Sequence, residues 1–150
     1  MHHYQTVLVA VDFSQHSEKA IARAKQLAAM YDAELHLLHV IEEPMYPLYD
    51  DVSLTATPNV WFPEMLETLQ KASTQKLHVL AKTNQIPTAA CHLLTGFPKT
   101  QIVDYANQIQ ADLIVMGRHG MSFFDKLIGS TTDSVLHQAQ CDVMAVTLDP

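Results

Sequence analysis

Glycine is scarce in this chain of 150 residues. There are four, and three of them, Gly117, Gly120 and Gly129, fall between positions 117 and 131. Cysteine is scarcer still. Cys91 and Cys141 are far apart and form no CxxC pattern, so they read as reduced, buried thiols of a cytoplasmic protein. Long apolar runs are missing too. None approaches the roughly 20 residues needed to span a bilayer, and the start, MHHYQTVLVAVDFS, has neither the cationic stretch nor the long apolar stretch of a signal peptide. A cytoplasmic location without a membrane partner is the expectation. Positive charge is also in short supply, with 9 Lys and Arg against 16 Asp and Glu and a net charge of −7. That balance argues against a duplex nucleic-acid binder, which needs clustered Lys and Arg to neutralise phosphates. It does not exclude one bound nucleotide, because backbone amides hold phosphates without net positive charge.

Nine histidines invite a metal reading, but their spacing gives it no support. His2 and His3 sit together at the start, no HxxxH or Cys/His cluster occurs, and His36 and His39 are three apart on an expected strand. Their side chains therefore point to opposite faces.

What is present is a core. Apolar residues make up 48% and charged residues 17% of the chain, the balance of a globular protein, and the length suits one domain spanning 1–150. Val7 to Val11 is a continuous apolar run rich in β-branched residues, as in a parallel strand buried on both faces. Ala20, Ala24, Leu27, Ala28 and Tyr31 then recur at helical spacing, with Ser14 as the expected N-cap. Glu34 to Val40 returns to strand. Residues 41–61 hold three prolines and little periodicity, which predicts a long loop; there Tyr46, Tyr49, Asp50 and Asp51 could form a lid or simply be mobile. A second helix is expected from Phe62, a third strand over Ala89–Leu94, and a turn at Gly96-Phe97-Pro98 into a helix carrying Ile102, Val103, Ala106 and Ile109. Leu113 to Met116 is the fourth strand, a last helix carries Val135 and Ala139, and Val143 to Leu148 is the fifth strand. Strands alternating with helices predict an α/β fold, an open parallel sheet with helices on both faces and right-handed crossovers.

Ligands of such sheets bind beyond the carboxyl ends of the strands, where neighbouring connections diverge. Asp12 follows the first strand and Gly117 the fourth. The stretch GRHGMSFFDKLIGST (117–131) reads in two ways: as a cradle for phosphates, or as a long turn between strand and helix. Gly117 and Gly120 would let backbone approach a ligand closely. The helix opening at Gly129-Ser130-Thr131-Thr132 would add amides, hydroxyls and a favourable dipole. No Lys follows Gly120 or Gly129, so this is not a Walker A loop, and the spacing is not GxGxxG either. Asp12 at a strand end suits a hydroxyl or an exocyclic amine; capping the first helix is an equally good role for it. Arg118, His119 and Lys126 could offset a polyphosphate or keep the loop solvated. Asp125 and Asp133 belong to no recognised catalytic constellation, and neither an arginine finger nor a Walker B acid stands out. Cys141 has no cationic neighbour in sequence and reads as a packed thiol.

The segments VLVAVDFS, LHLLHVI, GFPKTQIVDYA, ADLIVMG and CDVMAV together resemble the universal stress protein (UspA-type) family over roughly residues 4–148. The resemblance implies a Rossmann-like five-stranded sheet of order 3-2-1-4-5, a cytoplasmic homodimer and, in one branch of the family, an ATP site. That branch carries Gly, two residues, Gly, nine residues, then Gly-Ser or Gly-Thr. Gly117, Gly120 and Gly129-Ser130 match it, but only eight residues, Met121 to Ile128, separate the last two glycines. By matching position, Asp12 and Val40 would contact adenine or ribose, with Ala10 and Val11 along the wall. Met116 and Gly117 would lie against the sugar, Gly120, Gly129, Ser130 and Thr131 would hold the phosphates, and Mg²⁺ would be the only metal to enter, with ATP. The closing strand Val143–Leu148 would be a sheet edge, which must be covered or paired, and pairing with its twin across a two-fold axis satisfies both copies. The expected function is that of a cytoplasmic stress-response regulator that binds ATP or a related adenine nucleotide and offers an altered surface to a protein partner. A dimeric interaction protein without nucleotide, and a slow ATPase or phosphotransferase, are the alternatives.

Overall fold

The computed structural model describes residues 3–42, 58–119 and 128–147. Strand β1 (Thr6–Val11) is buried from Val7 onward and forms the middle of a five-stranded sheet. It pairs in parallel with β2 (Glu34–Glu42) on one side and with β4 (Leu113–Gly117) on the other. Strand β3 (Cys91–Gly96) lies outside β2, and β5 (Asp142–Val146) lies outside β4, giving the order β3-β2-β1-β4-β5. This is the expected order, with every neighbour parallel.

Alternation along β1 supplies two cores. Val7, Val9 and Val11 face helices α1 (Gln15–Tyr31) and α2 (Pro58–Thr83), where Ala20, Ile21, Ala24, Leu77 and Ala81 complete one cluster. Leu8 and Ala10 face helices α3 (Pro98–Gln108) and α4 (Ser130–Gln138), packing with Ile102, Val103, Tyr105, Ala106 and Val135. A strand apolar on both sides is stable only between two helical layers, each fully buried Val or Leu contributing about 1.5–3 kcal/mol. Helix α1 ends where Asp32 adopts φ 53° and its amide turns back to Ala28 and Ala29, a left-handed cap.

Several boundaries differ from those read in the sequence. Strand β2 runs on to Glu42, and α2 begins at Pro58, where a missing N–H costs nothing in the first turn. The expected loop of 41–61 is thus trimmed at both ends, and positions 43–57, including Tyr46, Tyr49, Asp50 and Asp51, lie outside the described residues. Strand β3 starts two residues later than expected, because Thr88–Ala90 form a 3₁₀ turn in which the Ala90 amide donates to Pro87 O at 2.9 Å. Gly96 has φ +148°, a conformation side chains rarely adopt, and a Cβ there would meet Gln101 at 3.0 Å. Pro98 then opens α3. Strand β5 ends at Val146; Thr147 lies past it and Leu148 falls outside the described residues. Among the described residues, no helix is long and apolar enough to cross a membrane.

Candidate functional site at the ends of β1 and β4

From the central pair β1 and β4 the chain leaves in opposite directions, to α1 and β2 on one side and to α4 and β5 on the other. Their carboxyl ends are adjacent, since Ala10, one residue before the end of β1, pairs with Met116, one residue before the end of β4. This is the topological switch point at which open α/β sheets bind ligands.

The start of α4 is tied back to the end of β4. The Gly129 amide donates to Arg118 O at 2.8 Å, and Thr132 Oγ1 donates to Gly117 O at 2.7 Å. Gly129 is the N-cap and has no side chain, so the first-turn amides of the helix have no side-chain cap. Arg118 is anchored in turn by its amide, which donates to Val146 O at 2.8 Å. Thr132, only 3% exposed, secures the seat alongside that backbone tie, an anchoring role that sequence reasoning did not assign to it. Its one signal was its place third in the run Ser130-Thr131-Thr132.

On the β1 side, Asp12 braces the turn into α1 rather than capping the helix. Its Oδ1 accepts from the Ser14 amide at 3.0 Å and from Ser17 Oγ at 2.8 Å, while its own amide donates to Ser17 Oγ at 2.8 Å. Asp12 Oδ2 has no partner among the described residues and remains able to accept from a ligand. Ser14 stands at the N-cap position as expected, yet its hydroxyl makes no cap bond. Ser14 Oγ and His16 Nδ1 are both buried without a partner. Buried polar groups left unsatisfied cost about 1–3 kcal/mol each; Ser14 is at the N-cap of α1 and His16 in its first turn.

Phe13 adopts φ 65°, a left-handed conformation unusual for a bulky residue. Its ring lies 4.1 Å from that of His39, and Lys76 Nζ sits 5.8 Å from its centroid. His39 Nδ1 reaches Val11 O at 2.7 Å. Burial holds the imidazole below its ordinary pKa, against the opposing pull of the Val11 carbonyl and Asp12, so it is the neutral ring that donates there.

The expected site residues therefore fall into three groups. Ala10, Val40 and Met116 come together on the α3–α4 face as buried apolar side chains. Val11 points the other way, into the α1–α2 core, so that only its backbone faces the site. Gly117, Arg118 and His119 lie at and just past the end of β4, and Gly129, Ser130 and Thr131 open α4, the two stretches joined by the Gly129–Arg118 bond. Gly117 also has a packing reason to be glycine, because a Cβ there would lie 2.6 Å from His16 Cβ. The His16 and His119 rings meet edge to face, with centroids 5.5 Å apart. Gly120, Asp125 and Lys126 lie outside the described residues. Asp133 is exposed and pairs with His137 at 3.5 Å along α4. Burial raises the Cys141 thiol, helped by Asp142 and Asp112, and raises the Cys91 thiol as well; both are poor nucleophiles.

A five-stranded parallel sheet of order β3-β2-β1-β4-β5 with helices on both faces defines a class of open α/β domains. The family model described as the universal stress protein family matches residues 3–147, and the chain belongs to that family. Universal stress protein A homolog 1 of Coxiella burnetii is 35% identical over 144 residues, covering 96% of each chain. Among solved structures, the universal stress protein UspA from Lactobacillus plantarum is 28% identical with a TM-score of 0.70, covering 97% of this chain and 99% of its own. A universal stress protein solved in complex with cAMP is 26% identical, with a TM-score of 0.63 and coverage of 97% and 98%.

Proposed function

We propose that this universal stress protein is a cytoplasmic stress-response regulator that binds ATP or a related adenine nucleotide between the ends of β1 and β4. The observation that carries the reading is the return of Gly129 to Arg118, which sets the uncapped start of α4 beside the end of β4, the strand paired with β1. Amides and the dipole of a helix start favour an anionic tail by about 0.3–1 kcal/mol, before charge-assisted hydrogen bonds are added. The free Asp12 Oδ2 suits a ribose hydroxyl or an exocyclic amine, and Ala10, Val40 and Met116 offer an apolar wall. The cAMP complex of a relative supports an adenine nucleotide as the ligand class. In this reading Arg118, His119, Gly120, Ser130 and Thr131 meet the phosphates, and Mg²⁺ enters with ATP. Regulation follows from differential binding: a nucleotide that holds the 117–131 turn in one arrangement changes the surface offered to a protein partner. The second part of the proposal is a homodimer in which the apolar edge strand β5 pairs with its twin.

One specific observation favours a nucleotide-free reading. Asp12 and Gly117 each have a structural task, bracing the turn into α1 and admitting His16, and the glycine loop is one residue short of the ATP-binding pattern. A thermal melt with Mg-ATP separates the two. At 100-fold excess over the dissociation constant a true ligand stabilises by about 2.7 kcal/mol. Gly129 has φ −57°, which valine adopts readily, so Gly129→Val tests space and not backbone strain. The shift is expected in the parent protein and lost in the variant. A shift retained by Gly129→Val moves the site elsewhere, and no shift in the parent favours the nucleotide-free dimer. Phosphate release followed over hours tests the slow ATPase, which steady turnover would favour.

A further inference from the structure

Toward the opposite end of the strands, two histidines that the sequence keeps 56 residues apart meet on the α3 face of the sheet. His36 Nδ1 lies 3.2 Å from His92 Nε2, with ring centroids 5.4 Å apart and planes inclined by 27°. The His36 side chain is 16% exposed, and the carboxylate of Glu34, two residues earlier on the same face of β2, stands 3.5 Å from its other nitrogen, Nε2. Tyr105 of α3 covers the far side of His92 at 4.9 Å.

We propose that His36 and His92 form a two-imidazole site for a borderline divalent metal ion, of which Zn²⁺ is the best fit, that clips the edge strand β3 to β2. The spacing is the first argument. Imidazole nitrogens bind Zn²⁺ at about 2.0–2.1 Å in tetrahedral geometry, which places two of them about 3.3–3.4 Å apart. The two nitrogens are already within a few tenths of an ångström of that bite. The second argument is the outer partner. A ligating histidine commonly donates its other N–H to a carboxylate, which fixes tautomer and orientation. Glu34 holds that position, keeping the proton on His36 Nε2 and the lone pair of Nδ1 turned toward His92. The third is chemistry: neutral nitrogen donors select borderline cations over Mg²⁺ or Ca²⁺, which prefer oxygen.

Without metal the contact is a hydrogen bond in which His92 Nε2–H donates to His36 Nδ1. On binding, the metal takes the place of that proton, and His92 carries its proton on Nδ1 instead, so the ring stays neutral. Among the described residues no third His, Cys, Asp or Glu joins the pair, and water completes the coordination. Because β3 is an outermost strand, the clip acts where the sheet has least support, and a metal that binds only the folded state stabilises it by mass action.

Zn²⁺ alone is the probe, added to the full chain and followed by calorimetry and by imidazole ¹⁵N shifts. The expected result is one equivalent bound, with shifts at His36 Nδ1 and His92 Nε2 and a higher melting temperature. His36→Gln and His92→Gln each weaken binding at least tenfold, while His137→Gln, at an exposed position, leaves it unchanged. Zn²⁺ binding of equal strength in the two site variants overturns the proposal, as does saturation without movement of those two nitrogen signals. Absence of binding up to millimolar Zn²⁺ overturns it equally. The nitrogen shifts are read on the unaltered protein, so a variant that folds poorly does not spoil the test.

Discussion

Gly117 illustrates how one residue serves two demands. Its backbone borders the candidate cleft, and its missing Cβ admits His16 from α1. Gly117→Ala is expected to cost about 1–3 kcal/mol by overpacking, measured by urea denaturation. His16→Gly in the same chain removes the atom that clashes, so the double variant should lose less than the sum of the two single changes. Strict additivity would show that the two residues do not meet. His39 makes a different prediction. Burial lowers its pKa in the fold, so the unfolded chain takes up the proton first as pH falls. Its contribution to stability is complete above the unfolded value of about 6.5 and is lost progressively as pH drops from there toward the lower folded value. Denaturation at pH 7.5 and pH 5.5 should show a smaller loss for His39→Gln than for the parent protein; an unchanged loss would contradict it. The place of Gly117 at the strand end was legible in the sequence; its packing against His16 and the bond of His39 to Val11 were not, because each depends on a neighbour more than twenty positions away.

Among the elements, α4 bears most of the argument, since its start must point at the strand ends for the cleft to exist. Thr132 holds it there through a buried bond to Gly117 O. Thr132→Val keeps the volume and removes the donor, and should cost about 1–3 kcal/mol in chemical denaturation. A loss below a few tenths would mean that the helix is seated by other contacts. The glycines and the run Ser130-Thr131 marked this region in the sequence, because such residue types are uncommon together outside turns and helix starts. The tie from Gly129 to Arg118 was not legible, since it joins backbone atoms across a turn whose path the residue types leave open. Boundaries slipped for local reasons of the same kind. Pro58 starts a helix as readily as it interrupts a loop, and the 3₁₀ turn before β3 uses residues that also suit a strand.

For the whole molecule, periodicity carried nearly all the information. Each run of apolar β-branched residues became a strand, each apolar 3.6-residue stripe a helix, and the alternation of the two left a parallel sheet as the economical arrangement. Strand order came from the resemblance, and the structure bears it out. The same order leaves β5 at an edge with Val143, Met144 and Ala145 half-buried. Pairing of that edge with its twin predicts a dimer by light scattering after size exclusion. Ala145→Lys sets like charges near each other in the paired edges and should shift the protein toward monomer; a monomeric parent protein, or a variant that stays dimeric, would place the interface elsewhere.

The central claim is that the ends of β1 and β4, with the start of α4, form one anion-receiving cleft. Backbone amide signals followed during titration with Mg-ATP test it most directly. The account predicts that the largest shifts fall on Asp12, Gly117, Arg118, Ser130 and Thr131, with smaller ones at Val40. Shifts scattered over the surface, or centred away from these residues at saturating nucleotide, would contradict it.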